Sequence, residues 1–315
     1  MQTKQLGNSD LMITPVGVGA WAMGGAGWEY AWSNQDDNDS IAAIHRALDL
    51  GVNWIDTAAV YGLGHSEEVV ARAVKGMTNK PYIFTKCSLI WDENRVIASS
   101  LKADSVRREV EASLRRLGVE QIDLYQIHWP DPDPEIEEGW ATLVELQKAG
   151  KLRHIAVSNF SAEQMQRAMS IAPITSNQPP YSAIKRGVED SVLPFCLQNN
   201  IGVIVYSPMQ AGLLTGKMTR ERISNLPEDD WRKGDEEYQE PRLSKNLHLA
   251  DVMATIAKRH NVPVPNVSIA WVLNHPAVTG AIVGVRNPKQ AEEVIGGGTL
   301  KLTEQDLHEI EVASR

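Results

Sequence analysis

Four residues with complementary chemistry stand near the ends of apolar runs. Asp56 closes NWID, Lys86 closes YIFTK and His128 closes DLYQIH, while Tyr61 follows Asp56 in DTAAVYG. A tyrosine has a reference pKa near 10, so alone it is a weak proton donor at neutral pH. A lysine ammonium at about 4 Å attracts the phenolate by about 4 kcal/mol at an effective dielectric of about 20, against about 1.4 kcal/mol per pKa unit. Part of that shift would bring the phenol into useful range for acid–base work. A carboxylate beside the lysine keeps it charged in a partly dry pocket, which is the expected part of Asp56. His128 can donate a hydrogen bond to a substrate oxygen and orient it. The set fits reduction of a carbonyl, with Tyr61 protonating the developing alkoxide while a cofactor supplies hydride.

Taken singly, each residue has an ordinary reading. Asp56 could cap a helix or a turn, Tyr61 could cover the rim, Lys86 could be solvated and His128 could be a satisfied core residue. The case is joint, because three successive strands end on members of one mechanism. Hydrolysis fits poorly: the chain lacks G-x-S-x-G, H-E-x-x-H and a His-x-His metal pair. Lys86 as a Schiff base of an aldolase or isomerase is a further alternative, and an adjacent Asp56 that keeps it protonated argues against it.

The elements that must position these residues alternate along the chain. Strand-like runs cover Val16–Ala20, Asn53–Asp56, Tyr82–Lys86, Asp123–His128, His154–Ser158, Ile174–Gln178, Gly202–Tyr206 and Gly280–Val283. Runs such as GVIVY and GAIVG are apolar throughout, as in parallel strands buried on both faces. Helix signals lie between them. Asp104 precedes Val106, Val110, Leu114 and Leu117, Asp133-Pro134 and Asn287-Pro288 pair a cap with an N1 proline, and Ser161-x-x-Gln164 reads as a capping box. Gly118 and Gly150 sit at C-cap positions. Ser66 reads as an N-cap with Glu67 and Glu68 at the positive helix end, which leaves Gly62-x-Gly64 as turn chemistry. Residues 3–14 suggest a hairpin around Asn8-Ser9-Asp10. Eight strands alternating with helices predict a single-domain (β/α)8 TIM barrel over residues 1–315, ahead of a doubly wound open sheet. The connections at 21–36, 87–103 and 207–244 are long, and 225–242 is a lid or a disordered stretch.

Composition narrows the classes. The chain has 315 residues, 43% hydrophobic and 23% charged, with a formal charge of −9, which disfavours nucleic acid and anionic membranes as partners. Two cysteines make no disulfide framework, and MQTKQLGNSD lacks an apolar signal core, so a cytoplasmic protein is expected. No oligomeric state follows from these features.

A second cluster lies late in the chain. GVRNP leads from the last strand to a helix start, and SPMQAGLLTGK follows the seventh strand, a pair of loops suited to phosphate. With these motifs the chain resembles the aldo-keto reductase family over essentially its whole length. DTAAVYG with GHSEE, IDLYQIHWP, GKLRHIAVSNF and YSPMQAGLLTGK are similar to the family's segments, with Ala156 where the family usually has glycine. The resemblance implies the tetrad Asp56, Tyr61, Lys86 and His128, and NADP(H) bound extended, ahead of NAD(H). It also implies that Ser158, Asn159 and Gln178 hold the nicotinamide amide and that Tyr206 stacks on its ring. Ala20, Trp21 and Asp56 would flank that end. Ser207, Pro208, Met209, Gly212, Leu213, Gly216 and Lys217 would line the pyrophosphate and ribose. Gly284, Arg286, Gln290 and Glu293 would meet the adenosine. Here the family's usual Lys-Ser is absent and Gln290 stands in place of an arginine, which bears on the choice between NADPH and NADH; Arg286 can still clamp a 2′-phosphate. The resemblance also admits a non-enzymatic regulatory subunit of the potassium-channel β type.

Nine tryptophans stand against three phenylalanines. Trp21, Trp28, Tyr30, Trp32, Trp91 and Trp129 are expected to line the mouth and to suit a bulky or cyclic carbonyl or alcohol.

Overall fold

A computed structural model describes residues 1–228 and 230–314. A hairpin of β1 (Lys4–Gln5) and β2 (Met12–Ile13) precedes β3 (Val16–Gly19). Then follow α1 (Asp37–Asp49), β4 (Trp54–Asp56), α2 (His65–Val74) and β5 (Tyr82–Cys87). A second hairpin, β6 (Leu89–Trp91) and β7 (Ile97–Ser99), leads to α3 (Ala103–Leu117). The alternation continues through β8 (Ile122–Ile127), α4 (Ile136–Lys148), β9 (Leu152–Ser158), α5 (Ala162–Met169), β10 (Ser176–Gln178), α6 (Val192–Gln198) and β11 (Gly202–Val205). Helices α7 (Arg220–Ser224), α8 (Arg242–His260) and α9 (Val264–Asn274) precede β12 (Gly280–Gly284), α10 (Pro288–Ile295) and α11 (Glu304–Ser314). β3, β4, β5, β8, β9, β10, β11 and β12 close into a parallel barrel in which β12 pairs with β3, as a (β/α)8 TIM barrel requires.

Strand alternation makes two layers inside the barrel. Trp54, Phe84, Leu124, Ala156, Ile204 and Ile282 pack together, and Leu6, Leu11 and Ile13 of the N-terminal segment close them from below. The Trp54 indole needs space that only glycine leaves: a Cβ on Gly17 would stand 2.2 Å from it. Two residues further along β4, β5, β8 and β9 come Asp56, Lys86, Gln126 and Ser158, on the same face by the period of the strand. The apolar floor therefore delivers a polar layer at the C-terminal mouth.

Local signals hold in several places. Ser161 and Gln164 form the capping box, Asn287 accepts the Gln290 N–H, and Gly118 ends α3 in the left-handed region at φ 65°. Three differ. Lys102, not Asp104, is the N-cap of α3, and carboxylates from the start of α4 serve that end: Glu138 accepts the Ala103 N–H at 2.8 Å, and Glu135, the N-cap of α4, accepts the Leu101 N–H at 3.0 Å. Asp133 opens a short 3-10 turn behind Pro132 and accepts from Gln164 and Arg167 rather than capping its own turn. Ser66 lies inside α2, behind Gly64 as N-cap, and donates to the Ala20 carbonyl at 2.8 Å. Glu67 and Glu68 stand in the first turn of α2 as expected, and Glu67 is buried there, accepting from Thr85 and Arg116. In 225–242, short helical turns at Trp231–Lys233 and Glu236–Tyr238 pack Trp231 against Trp21, Trp32 and Tyr238, while Asp229 lies outside the described residues. No helix among the described residues is long and apolar enough to cross a membrane.

Candidate active site

The polar layer is one hydrogen-bonded unit. Lys86 Nζ donates to Asp56 Oδ1 at 2.6 Å and to the Thr57 carbonyl at 2.8 Å. The other Asp56 oxygen accepts from Gln178 Nε2 at 2.8 Å and from Gln126 Nε2 at 3.1 Å. Gln178 Nε2 also reaches Gln126 Oε1 at 3.1 Å. Asp56 therefore neither caps a helix nor serves a turn. A buried charge needs partners for its remaining lone pairs, and the two amides supply them. Gln126 was not singled out from the sequence. The available signal is a polar residue in a buried strand two positions before His128.

Tyr61 and His128 stand half-buried above this layer, ring centroids 5.7 Å apart and edge to face. Gly62, at φ 64°, lets the chain turn sharply after Tyr61, and a Cβ there would meet the Gly24 carbonyl at 2.2 Å. Lys86 Nζ lies 5.2 Å from the Tyr61 ring centroid, over the ring. The expectation that Lys86 lowers the phenol pKa is not met. Burial, seconded by the Asp56 charge, pushes it well above its ordinary value. Asp56 offsets the lysine's field, so desolvation dominates and Tyr61 stays protonated. Burial pulls the Lys86 ammonium down, opposed by Asp56. Burial and then the Lys86 charge hold the His128 imidazolium well below its ordinary value, which makes the ring neutral.

The expected nicotinamide residues converge on the same mouth. Asn159 Nδ2 donates to the His128 carbonyl at 2.9 Å, Tyr206 Oη donates to Asn159 Oδ1 at 2.9 Å, and Ser158 Oγ donates to the Gln178 carbonyl at 2.9 Å. Ala20 donates its N–H to the Asp56 carbonyl at 2.9 Å. Hydroxyl and amide groups of this kind suit a planar carboxamide. Beyond Tyr206, φ is positive at Ser207, Gln210, Ala211, Gly212 and Gly216. Such runs turn backbone N–H groups toward one side, and their strain concentrates at ligand clamps. Pro208 and Met209 lie within this turn, but the Leu213 side chain is fully buried with Met218, Tyr238 and Leu243, so only its backbone can face a ligand. Lys217 pairs with Glu293 at 2.5 Å, which joins this loop to α10. Arg286 N donates to Gln290 Oε1 at 2.9 Å, and its guanidinium donates to Gln35 Oε1 at 2.7 Å and the Asn34 carbonyl at 2.6 Å. Gly284 is exposed at the mouth, and a Cβ there would meet nothing within 4 Å. The donor set suits an extended dinucleotide, with amides at one end and cations at the other.

Aromatic residues ring the opening. Trp28 lies 6.1 Å from both Tyr61 and Tyr30, and Trp21 Nε1 donates to the Tyr30 carbonyl. Trp21 meets Trp32 edge to face at 5.2 Å, and Trp129 stacks beside His128. Trp231, also carried by a long loop, completes a trio with Trp21 and Trp32. Trp91 instead faces the Arg116 guanidinium at 5.9 Å.

The chain is similar to known proteins over nearly its whole length. The model of the aldo/keto reductase family matches residues 15–315. An aldo-keto reductase of Bacillus subtilis (strain 168), YhdN, is 39% identical over 97% of this chain and 92% of its own. The NADH-specific methylglyoxal reductase of Escherichia coli (strain K12) is 31% identical over 97% of this chain and 96% of its own. The structure of the glycerol dehydrogenase AKR11B4 from Gluconobacter oxydans superposes with a TM-score of 0.89 at 38% identity, covering 99% of this chain and 94% of that one. With a family model matched from the first barrel strand onward and relatives similar from end to end, the chain belongs to the aldo/keto reductase family.

Proposed function

We propose that this chain is an NADP(H)-dependent carbonyl reductase or alcohol dehydrogenase in which Tyr61 is the general acid and base. The observation that carries the reading is the buried Lys86–Asp56 pair beneath Tyr61 and His128. When bound, the nicotinamide supplies the hydride. Tyr61, protonated by burial, gives its hydroxyl proton to the carbonyl oxygen as charge develops there. Neutral His128 donates a hydrogen bond to the same oxygen and orients it. Lys86 acts on the phenolate that remains: its ammonium favours that charge, and Asp56 keeps the ammonium protonated against burial. Ser158, Asn159 and Gln178 would hold the carboxamide, and Tyr206 would stack on the ring.

Tyr61→Phe tests the acid. Turnover of an aromatic aldehyde should fall by about 10²–10⁴, with NADPH affinity by fluorescence titration unchanged. Undiminished turnover removes Tyr61 from the role. Arg286 supports a preference for NADPH, although the Escherichia coli relative is NADH-specific. Kinetics with both cofactors, on methylglyoxal, glycerol and an aromatic aldehyde, distinguish the options. Arg286→Ala should weaken NADPH binding by about tenfold or more and leave NADH nearly unchanged, as loss of a charge-assisted phosphate contact implies. The aromatic opening supports a ring-bearing substrate.

A further inference from the structure

Behind the wall that carries Lys86 and His128, a buried carboxyl holds the backbone. Glu109 on α3 accepts the Ser88 N–H at Oε2, 3.0 Å away, and its Oε1 lies 3.3 Å from Ser105 Oγ. Ser88 follows β5 by one residue, is fully buried and has a φ of 86°. That conformation is strained for a non-glycine residue and persists only where the surroundings over-determine it. Here they do. Ser88 Oγ accepts the Trp129 N–H at 3.1 Å, and the Ser88 carbonyl accepts the Ser100 N–H at 3.0 Å. The ladder between β5 and β8 ends at the register pair Cys87–Ile127, where the Cys87 carbonyl accepts the His128 N–H at 3.0 Å. Beyond it, the Ser88 side chain extends the pairing by one step. Ser88 thus knots together the end of β5, the His128–Trp129 segment and the β6–β7 hairpin.

We propose that Glu109 is a positioning residue for the reaction: through Ser88 it fixes the strand end that carries His128 and Trp129 at the substrate side of the mouth. The inference rests on the reductase reading above. Glu109 acts at one remove from the mouth: its hydrogen-bond partners among the described residues are Ser88 and Ser105. Ser88 N–H and Ser105 Oγ both donate to it, and burial outweighs them, pushing its carboxyl up to about 8.

The test uses Glu109→Leu, Glu109→Gln and Ser88→Ala, read by kcat and KM with saturating NADPH and by amide hydrogen exchange of residues 87–100 and 128–130. Glu109→Leu should lower kcat/KM by about tenfold to a hundredfold through misplacement, accelerate exchange in both segments and leave NADPH affinity unaltered. Glu109→Gln keeps an oxygen for Ser88 and should recover turnover to within about threefold. Wild-type kcat and KM in the leucine variant, or a glutamine variant as impaired as the leucine one, overturns the inference. If the leucine variant does not fold, Ser88→Ala decides: it removes only the Trp129 acceptor, and unchanged kinetics with unchanged exchange at 128–130 overturns the inference. Failure of the reductase reading is separate. A wild-type protein that binds NADPH and turns over no carbonyl sinks that reading, and the exchange data still judge the Glu109 clamp.

Discussion

Two rings of side chains line the barrel, one step apart on the same strands. The lower ring, with Trp54, Phe84, Leu124 and Ala156, is apolar and sealed by the N-terminal hairpin. The upper ring, with Asp56, Lys86, Gln126 and Ser158, is polar and joined largely by its own hydrogen bonds. The residues differ by two positions, which in a strand means the same face. Their proximity explains the energetics above. The sealed floor keeps water from below the Lys86–Asp56 pair, whose side chains are 0% and 4% exposed, so each charge depends on the other. The same desolvation holds Tyr61 protonated and His128 neutral.

The largest effect should come from splitting the upper ring. Lys86→Met strands the Asp56 charge and is expected to cost about 3–5 kcal/mol in urea unfolding. Turnover should fall by about 10²–10⁴ as well. Asp56→Asn with Lys86→Met removes both charges and should recover most of the stability but none of the turnover. A double variant as unstable as the single one would show that the pair does not hold the ring.

Damage to the lower ring should separate stability from chemistry. Trp54→Ala empties the space that Gly17 and Gly280 leave for the indole, at an expected cost of about 3–5 kcal/mol. Rates per folded molecule should stay within about threefold of wild type, because no transition-state contact is removed. A hundredfold fall in kcat with unchanged unfolding would contradict the division between the rings.

A gentler comparison sets the wall behind the upper ring against both. The Glu109 carboxyl is raised from 4.5 to about 8 in the folded chain. Below pH 4.5 both states hold the proton. Between there and about 8 only the folded state does, so stability falls as pH rises, by no more than about 1.4 kcal/mol per unit. Cys87 and Tyr125 face this carboxyl from the barrel, and both are pushed well above their ordinary values, outside the window. Arg108 and Arg116 lie near it on α3. Neutral His128 gives an opposite slope below about pH 6.5, so the reading is a difference: in unfolding titrations from pH 5 to 8, wild type should lose stability relative to Glu109→Gln as pH rises. Equal slopes would remove Glu109 as the source.

Much of this was legible because it is local. Apolar runs fixed the strands, and the polar residues ending several runs marked the polar mouth, since a barrel gathers the C-terminal ends of its strands. Asn287 and Ser161 bond groups three residues away, so spacing alone identified them as caps. The rest depended on partners distant in the chain. Glu138 reaches Ala103 across 35 positions and Gln178 reaches Asp56 across 122, and no window of sequence contains both ends of either bond. Gln126 looked like one more strand residue until closure set it against Asp56 and Gln178. Trp91 and Trp231 both sit in long loops, yet Trp91 meets Arg116 and Trp231 meets Trp32, because loop direction, not residue type, decides what an indole meets. The sign of the Tyr61 shift was also a tertiary matter. Residue types named a cation that could lower it, whereas the depth of burial and the placement of Asp56 raised it. The sequence by itself determined which groups the mouth would hold. Only the closed barrel decided how dry they are, and with that which of them keep their protons.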